Sequence, residues 1–248
     1  MAKISGRQSA IYYGIANLSQ FFSSADVSRD GAVLETTGLG STDRTYVPGV
    51  RGGTVSLAGF YEGSQDATDE KLSNSLATSD GQVVTVMPEG LVLGNRAMLL
   101  KARTSRYSVS SPVDGVGTIA GDIQSDGGVV EGHVLRTDAA EITSDGDEVR
   151  VDNGAATSEG GVAHLHVLEA DDDGGGEIAV MVEHSATGLF AGEQAELVSF
   201  APVAGQPESE SVNVAAGTTV RRYLRAAWVV DGGVAPRWKI VVAFGRRK

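Results

Sequence analysis

The chain has no cysteine among its 248 residues. Disulfides, Cys-based zinc sites and thiol nucleophiles are therefore excluded, and nothing points to an oxidising compartment. Nowhere do about eighteen apolar residues run together, the length a membrane-crossing helix requires. The opening stretch MAKISGRQSAIYYGIANLSQFF lacks the apolar centre of a signal peptide, so the expectation is a soluble chain not exported by such a signal. Motifs of catalysis are missing as well. There is no G-x-S-x-G elbow, no Walker loop, no G-x-G-x-x-G after a strand and no H-E-x-x-H.

Positive charge is in deficit too. Lys and Arg number 20 against 32 Asp and Glu, for a net charge of −12. Tight sequence-independent binding to nucleic acid needs clustered cations to displace phosphate counterions, so this balance argues against it. A surface that repels DNA remains compatible with it. The deficit is uneven, because residues from Asp138 onward hold 18 acids and 9 bases and so carry −9 of the total.

What the sequence has in abundance is alternation. Period-2 patterns separated by Gly, Asp, Ser and Asn recur along the chain, the mark of an antiparallel all-β protein. The cleanest runs over residues 54–61, with Val55, Leu57, Gly59 and Tyr61 on one face and Thr54, Ser56, Ala58 and Phe60 on the other. Further strands are predicted over 11–18, 82–87, 97–109, 117–124 and 129–135, each closed by a turn such as PEG, PVDG or SDGG. One segment, 64–81, reads as a helix capped by Asp66, with Asp69 and Glu70 in its first turn and Leu72 and Leu76 on a narrow apolar stripe. Such a helix should lie on the flank of a sheet.

Residues 138–160 are acidic and nearly free of large apolar side chains, and they read as a linker with an edge strand. Beyond them, turn signals roughly every ten residues predict a second β-sandwich. Its core is expected from Val220, Leu224, Ala226 and Trp228 on one strand and Trp238, Ile240, Val242 and Phe244 on another, with Arg222 at the rim. The organisation expected is 1–137, 138–160 and 161–248 as first β-domain, linker and C-terminal β-sandwich.

Candidate chemistry is sparse. His164 and His166 stand at i and i+2, the spacing that puts two metal ligands on one strand face, with Glu169 following and His184 on the next predicted strand. The spacing to Glu169 is short for a cupin-type set and no second motif follows, so ordinary strand histidines are the simpler reading. Glu169, Asp171, Asp173 and Gly174 imitate the start of a calcium loop, but Val180 occupies the place of its bidentate Glu. Asp114, Asp122, Asp126 and Glu131 include carboxylates that could pair for glycoside hydrolysis. In so acidic a chain their placement needs no such cause. The run Arg221, Arg222, Tyr223, Leu224, Arg225 interleaves bases with an aromatic, and intramolecular pairing accounts for it in an acidic neighbourhood.

The phrase TTGLGSTDRTYVPGVRGGTVSLAGFY sets a small-polar stretch ahead of a T-x-S-x-x-G-x-[FY] strand carried by Thr54, Ser56, Gly59 and Tyr61. In this, and in the order of strand, short helix and paired strands over 10–137, the chain resembles the major tail tube proteins of long-tailed bacterial and archaeal viruses. The resemblance implies an all-β fold: a tail-tube-type sandwich or barrel with a flanking short helix and a long stacking loop, followed by an added C-terminal sandwich. It implies a structural virion protein rather than an enzyme, with no cofactor, made in the host cytoplasm and located in the virion tail tube. Its partners would be further copies of itself in stacked hexameric rings, the tape measure, terminator and tail-tip proteins, and viral DNA passing without specific binding.

By the same resemblance the segment 36–51 reaches the next ring, through Asp43, Arg44, Tyr46, Pro48 and Arg51. Glycines and the lack of bulky apolar side chains would suit a segment ordered only on stacking. The lumen would be polar and acidic, repelling phosphate, with Asp122, Gln124 and Glu131 as its candidate residues, and Arg103 and Arg106 on a neighbouring strand would either face DNA or pair with those acids. The rival readings are another virion β-protein at the tail tip or capsid, and a cellular carbohydrate-binding β-sandwich. Tryptophans in core-like patterns speak against sugar binding.

Overall fold

The computed structural model describes residues 6–63, 68–76, 80–171, 175–233 and 236–247. In chain order its strands are β1 (Ala10–Tyr13), β2 (Ala16–Asn17), β3 (Phe22–Glu35), β4 (Tyr46–Phe60), β5 (Gln82–Met87) and β6 (Arg96–Ser110). The next are β7 (Thr118–Ser125), β8 (Val130–Arg136), β9 (Gly146–Asp147), β10 (Val151–Asp152), β11 (Gly161–Asp171) and β12 (Glu177–Ser185). The last are β13 (Ala195–Ser199), β14 (Val203–Ala204), β15 (Ser209–Val214), β16 (Tyr223–Asp231) and β17 (Arg237–Arg246). A single α-helix is described, α1 (Thr68–Asn74), between β4 and β5. The strand pairings whose register is described are antiparallel, as period-2 patterning with short polar turns favours.

Two compact units emerge. One, the sandwich unit, gathers Met1–Gln20, Gln82–Leu99 and Val130–Lys248; the other, the hairpin unit, gathers Phe21–Gly81 and Leu100–Val129. This partition differs from the cut expected at 137 and 160. β8 hydrogen-bonds to β17 more than a hundred residues away, and β1 to β5, so the early strands belong with the late ones. No local feature of a strand announces so distant a partner.

In the sandwich unit, β15, β11, β17 and β8 lie side by side, and β10, β16, β12 and β13 form the facing sheet, with β14 on β12 and β9 on β16. Between them packs a core that includes Leu165, Val167, Ile178, Val180, Val182, Leu224, Trp228, Trp238, Ile240, Val242 and Phe244. Both strand faces expected to supply it do so. Alternate residues of β17 turn the other way: Val241 and Ala243 join Tyr12, Met87, Leu99 and Val134 in a second core beneath β1 and β5. Burial on both sides explains the unbroken apolar run of β17. Residues 138–160, expected as a linker with an edge strand, do supply the edge strand β10, and the rest of the stretch is also tied to the sandwich unit. Ile142 exchanges both backbone hydrogen bonds with Trp238, at 2.9 and 3.1 Å, and β9 and β10 pair with β16. Buried Ile142, Val151 and Asn153 anchor the stretch, which is why so few apolar residues suffice. The strand expected over 11–18 is instead two short ones, broken where Gly14 takes φ 58°.

In the hairpin unit, β3, β4, β7 and the later part of β6 form one sheet. Val55, Leu57, Ile119 and Ile123 are buried on one face. Helix α1 covers that face, and a Cβ on Gly121 would stand 3.3 Å from Leu72 Cδ1. The helix is shorter than the expected 64–81. Asp66 lies outside the described residues, and Leu76 leaves the helix for an isolated bridge to Thr104. Leu72 alone is the buried apolar anchor, so Leu72→Ala is expected to cost about 2–4 kcal/mol in a urea titration.

Candidate functional site

The first feature of the hairpin unit is an arm. β3 pairs with β4 from Phe22 opposite Gly59 out to Glu35 opposite Tyr46, with register shifts between Phe22 and Ser24 and between Gly31 and Val33. At about 3.3 Å per residue, β4 is about 50 Å long. Only its later half is laid against a core. Beyond the Asp30 and Gly52 pair the arm is exposed on both faces, and it carries apolar side chains there: Val33 (67% exposed), Leu34, Tyr46, Val47 and Val50 (85%). The tip is closed by Thr36 N to Thr45 O at 2.8 Å and by Thr45 N to Thr37 Oγ1 at 3.1 Å, with Leu39 fully exposed.

Asp43 and Arg44 sit in this tip, whereas Tyr46, Pro48 and Arg51 stand on β4. The expected loop over 36–51 is therefore strand from Tyr46 onward. Pairing with β3 satisfies its backbone, so the segment needs no neighbour to order it. Pro48 opposes Val33 beside the register shift, a place where a residue without an N–H is accommodated.

The second feature is a polar sheet face. Register places Asp26, Ser56, Asp122 and Arg106 in one row across β3, β4, β7 and β6, and Ser28, Thr54, Gln124 and Arg103 in the next. Ser56 Oγ donates to Asp122 Oδ1 at 2.7 Å, and Arg106 lies 3.8 Å from the other oxygen. Thr54 Oγ1 donates to Gln124 Oε1 at 3.1 Å, and Gln124 Nε2 donates to the Gly53 carbonyl at 3.0 Å. Arg103 reaches Asp126 at 3.4 Å. The two arginines answer the aspartates, so the face is polar and near charge balance rather than strongly acidic. Glu131 is not part of it: it stands on β8, opposite Met98, in the sandwich unit.

A third feature had no signal in the sequence. Where β4 ends and the turn between β6 and β7 begins, Phe60, Tyr61, Val109, Val113 and Val116 are all exposed. Thr118 pairs with Phe60, and Tyr61 N donates to the Gly117 carbonyl at 3.0 Å, which gathers these residues at the end of the sheet opposite the arm tip. They are scattered in sequence and belong to no periodic run.

The other candidates disperse. His164 and His166 are fully buried and hydrogen-bonded to Thr85, while Glu169 pairs with Lys239 at 2.8 Å on the exposed side. His184 Nδ1 accepts from the Arg221 backbone at 3.3 Å. Asp173 and Gly174 lie outside the described residues. The basic run is paired within the chain: Arg221 donates to the Glu193 carbonyl, Arg222 grips Asp152 through two hydrogen bonds, and Arg225 lies between Glu183 and Asp147. Those bonds from Arg222 are the main cause that brings the Asp152 carboxyl down to about 2.

No protein-family model and no curated protein matches the chain. Among solved structures, a chain of the virion of a native gene transfer agent is similar over 51% of this chain and 97% of its own, at 16% identity and a TM-score of 0.43. The SPP1 tail tube is similar over 52% and 78%, at 12% identity and a TM-score of 0.43. The Dit protein of SPP1, described as part of a hub adsorption apparatus, is similar over 97% and 99%, at 11% identity and a TM-score of 0.35.

Proposed function

We propose that this chain is a structural subunit of a viral tail tube that assembles by stacking on copies of itself. The observation that carries the reading is the β3–β4 arm, which holds Val33, Leu34, Tyr46, Val47 and Val50 in solvent at one end of a sheet whose other end exposes Phe60, Tyr61, Val109, Val113 and Val116. Exposed apolar sets on this scale mark protein contacts. Two different sets at opposite ends of one sheet suit head-to-tail association, which has no built-in stopping point along its axis.

The same sheet supplies a wall. β3 is a 14-residue strand whose one partner among the described residues is β4, so an adjoining subunit can continue the sheet sideways and close a ring, a hexamer by the sequence resemblance. The row of Ser56, Asp122, Thr54 and Gln124 then offers a lining without apolar or strongly cationic patches, along which DNA moves without adhering. Tape measure, terminator and tail-tip proteins are the partners this role entails, and the virion tail its location.

Negative-stain electron microscopy of the purified protein, at rising concentration and with salt to screen its acidic charge, tests the reading. Hollow tubes or stacked rings are expected. A monodisperse monomer at every concentration and salt level overturns it.

A further inference from the structure

Inside the sandwich unit, a chain of polar groups crosses an otherwise apolar core, and it is independent of the assembly surfaces. His164 and His166 on β11 are completely buried, and each binds Thr85 Oγ1 of β5, at 2.9 Å through His164 Nδ1 and 2.8 Å through His166 Nε2. His166 Nδ1 lies 2.6 Å from the Gly14 carbonyl, in the turn between β1 and β2. A carbonyl only accepts, so His166 carries its proton on Nδ1, and its Nε2 must accept from Thr85. The Thr85 oxygen is then free to accept from His164 Nδ1–H. This leaves His164 Nε2 as a bare lone pair with no partner among the described residues, buried in the core.

We propose that this relay is an acid-operated latch, which holds β1, β2 and β5 onto β11 while both imidazoles are neutral and lets them go when either takes up a proton. The neutral state uses each donor once. A proton added to His164 places a buried charge there with only the Val84 carbonyl to favour it, and one added at His166 Nε2 displaces the Thr85 hydroxyl hydrogen, so that Thr85 meets an N–H from each ring and its own O–H loses its acceptor. No charge is placed to compensate. On the His side of β11, the neighbouring positions are Ser209 and Ser211 of β15 and Val241 and Ala243 of β17. From β1 comes Tyr12, 5.7 Å from His166 between ring centres, whose hydroxyl is already donated to Asp138 at 2.7 Å. From β5 comes Thr85. Asp138 is thus held by Tyr12.

Burial depresses both histidines, His166 to about 4 and His164 well below its usual value. The sign follows from linkage: a folded-state value below the unfolded 6.5 or so means that the opened state binds more protons, so the latch is firm above that pH and weakens as pH falls toward 4. Each proton taken up multiplies the opening equilibrium by up to about tenfold per pH unit.

Hydrogen exchange of the full chain, followed by mass spectrometry from pH 7.5 to 4.5 and corrected for the chemical rate, reads the latch directly. Protection of residues 10–17 and 82–87 is expected to fall about 100-fold between pH 6.5 and 4.5 while 178–182 in β12 keeps its own. Thr85→Val, which retains the shape but removes the donor to His166, should lower that protection already at pH 7.5 and shrink its further fall toward pH 4.5, because the folded-state values rise toward the opened one. Equal loss in all strands, no loss at all, or an unchanged profile in Thr85→Val overturns the proposal.

Discussion

Replacing residues 32–50 by an Asn-Gly turn is expected to abolish polymerisation and leave the subunit folded. Gly31 and Arg51 face each other across the β3–β4 ladder, so a two-residue turn joins them at the spacing a type I′ hairpin needs. What is removed touches no core: the outer arm is exposed on both faces, and its apolar residues Val33, Leu34, Tyr46, Val47 and Val50 contribute nothing to the buried clusters of the subunit. Circular dichroism and the urea midpoint should therefore barely move. Assembly loses every one of those side chains. Each is worth on the order of 1–2 kcal/mol when it passes from water into a contact, so the critical concentration for tube growth should rise by on the order of 10³-fold or more. The acceptor end makes the complementary case: Val113→Asp with Val116→Asp changes an exposed turn and should block growth to a similar degree. Sedimentation velocity across concentrations measures both, and tubes formed by the truncated chain at wild-type concentration would remove the arm from the mechanism.

How much of this was legible in the sequence depended on whether a residue's neighbour lay near in the chain. β5 begins and ends where its alternation does, at Gln82 and Met87, and β7 and β8 differ from expectation by a residue at each end. Val55 and Leu57 face inward and Ser56 and Thr54 outward, because in a strand with one buried face the period alone decides which side each residue takes. β3 escaped notice for the same reason in reverse. Almost all its residues are at least partly exposed, so no face was selected for apolar side chains and no period was written. This also accounts for the polar stretch that precedes the most regular strand: it is the tip and near half of a hairpin whose other strand is β3.

The site was half readable. Alternation put Asp122 and Gln124 on the outward face of β7, and the structure adds their cross-strand partners. Glu131 satisfied the same rule on β8, yet β8 belongs to another unit, which only long-range pairing decides. The apolar cluster around Phe60 and Val113 was invisible, since it is made by two turns meeting in space. Residues 138–160 misled because acid-rich composition resembles a linker, while three buried side chains are enough to fix an edge.

Two glycines of β4 should respond oppositely to the same substitution, and the contrast tests how the arm is rooted. A Cβ at Gly59 would lie 2.1 Å from the Phe21 carbonyl oxygen and 2.8 Å from Phe22 Cα. Both are backbone atoms, at the register shift where β3 crosses closest to β4, so neither can yield by a change of rotamer. Gly59→Ala is therefore expected to destabilise the hairpin unit by about 3 kcal/mol or more and to release protection across β3 and β4 in hydrogen exchange. A Cβ at Gly52 meets nothing nearer than Gln124 Nε2 at 3.9 Å, an ordinary contact. Gly52→Ala removes flexibility from the unfolded chain at no steric cost, and should stabilise the unit by about 0.5 kcal/mol. If both substitutions cost the same, the close approach at Gly59 does not exist in solution. If they diverge as expected, tubes from Gly52→Ala should persist to higher urea than wild type. Gly59→Ala should form none even where the sandwich unit remains folded, because the arm then lacks the ladder that projects it.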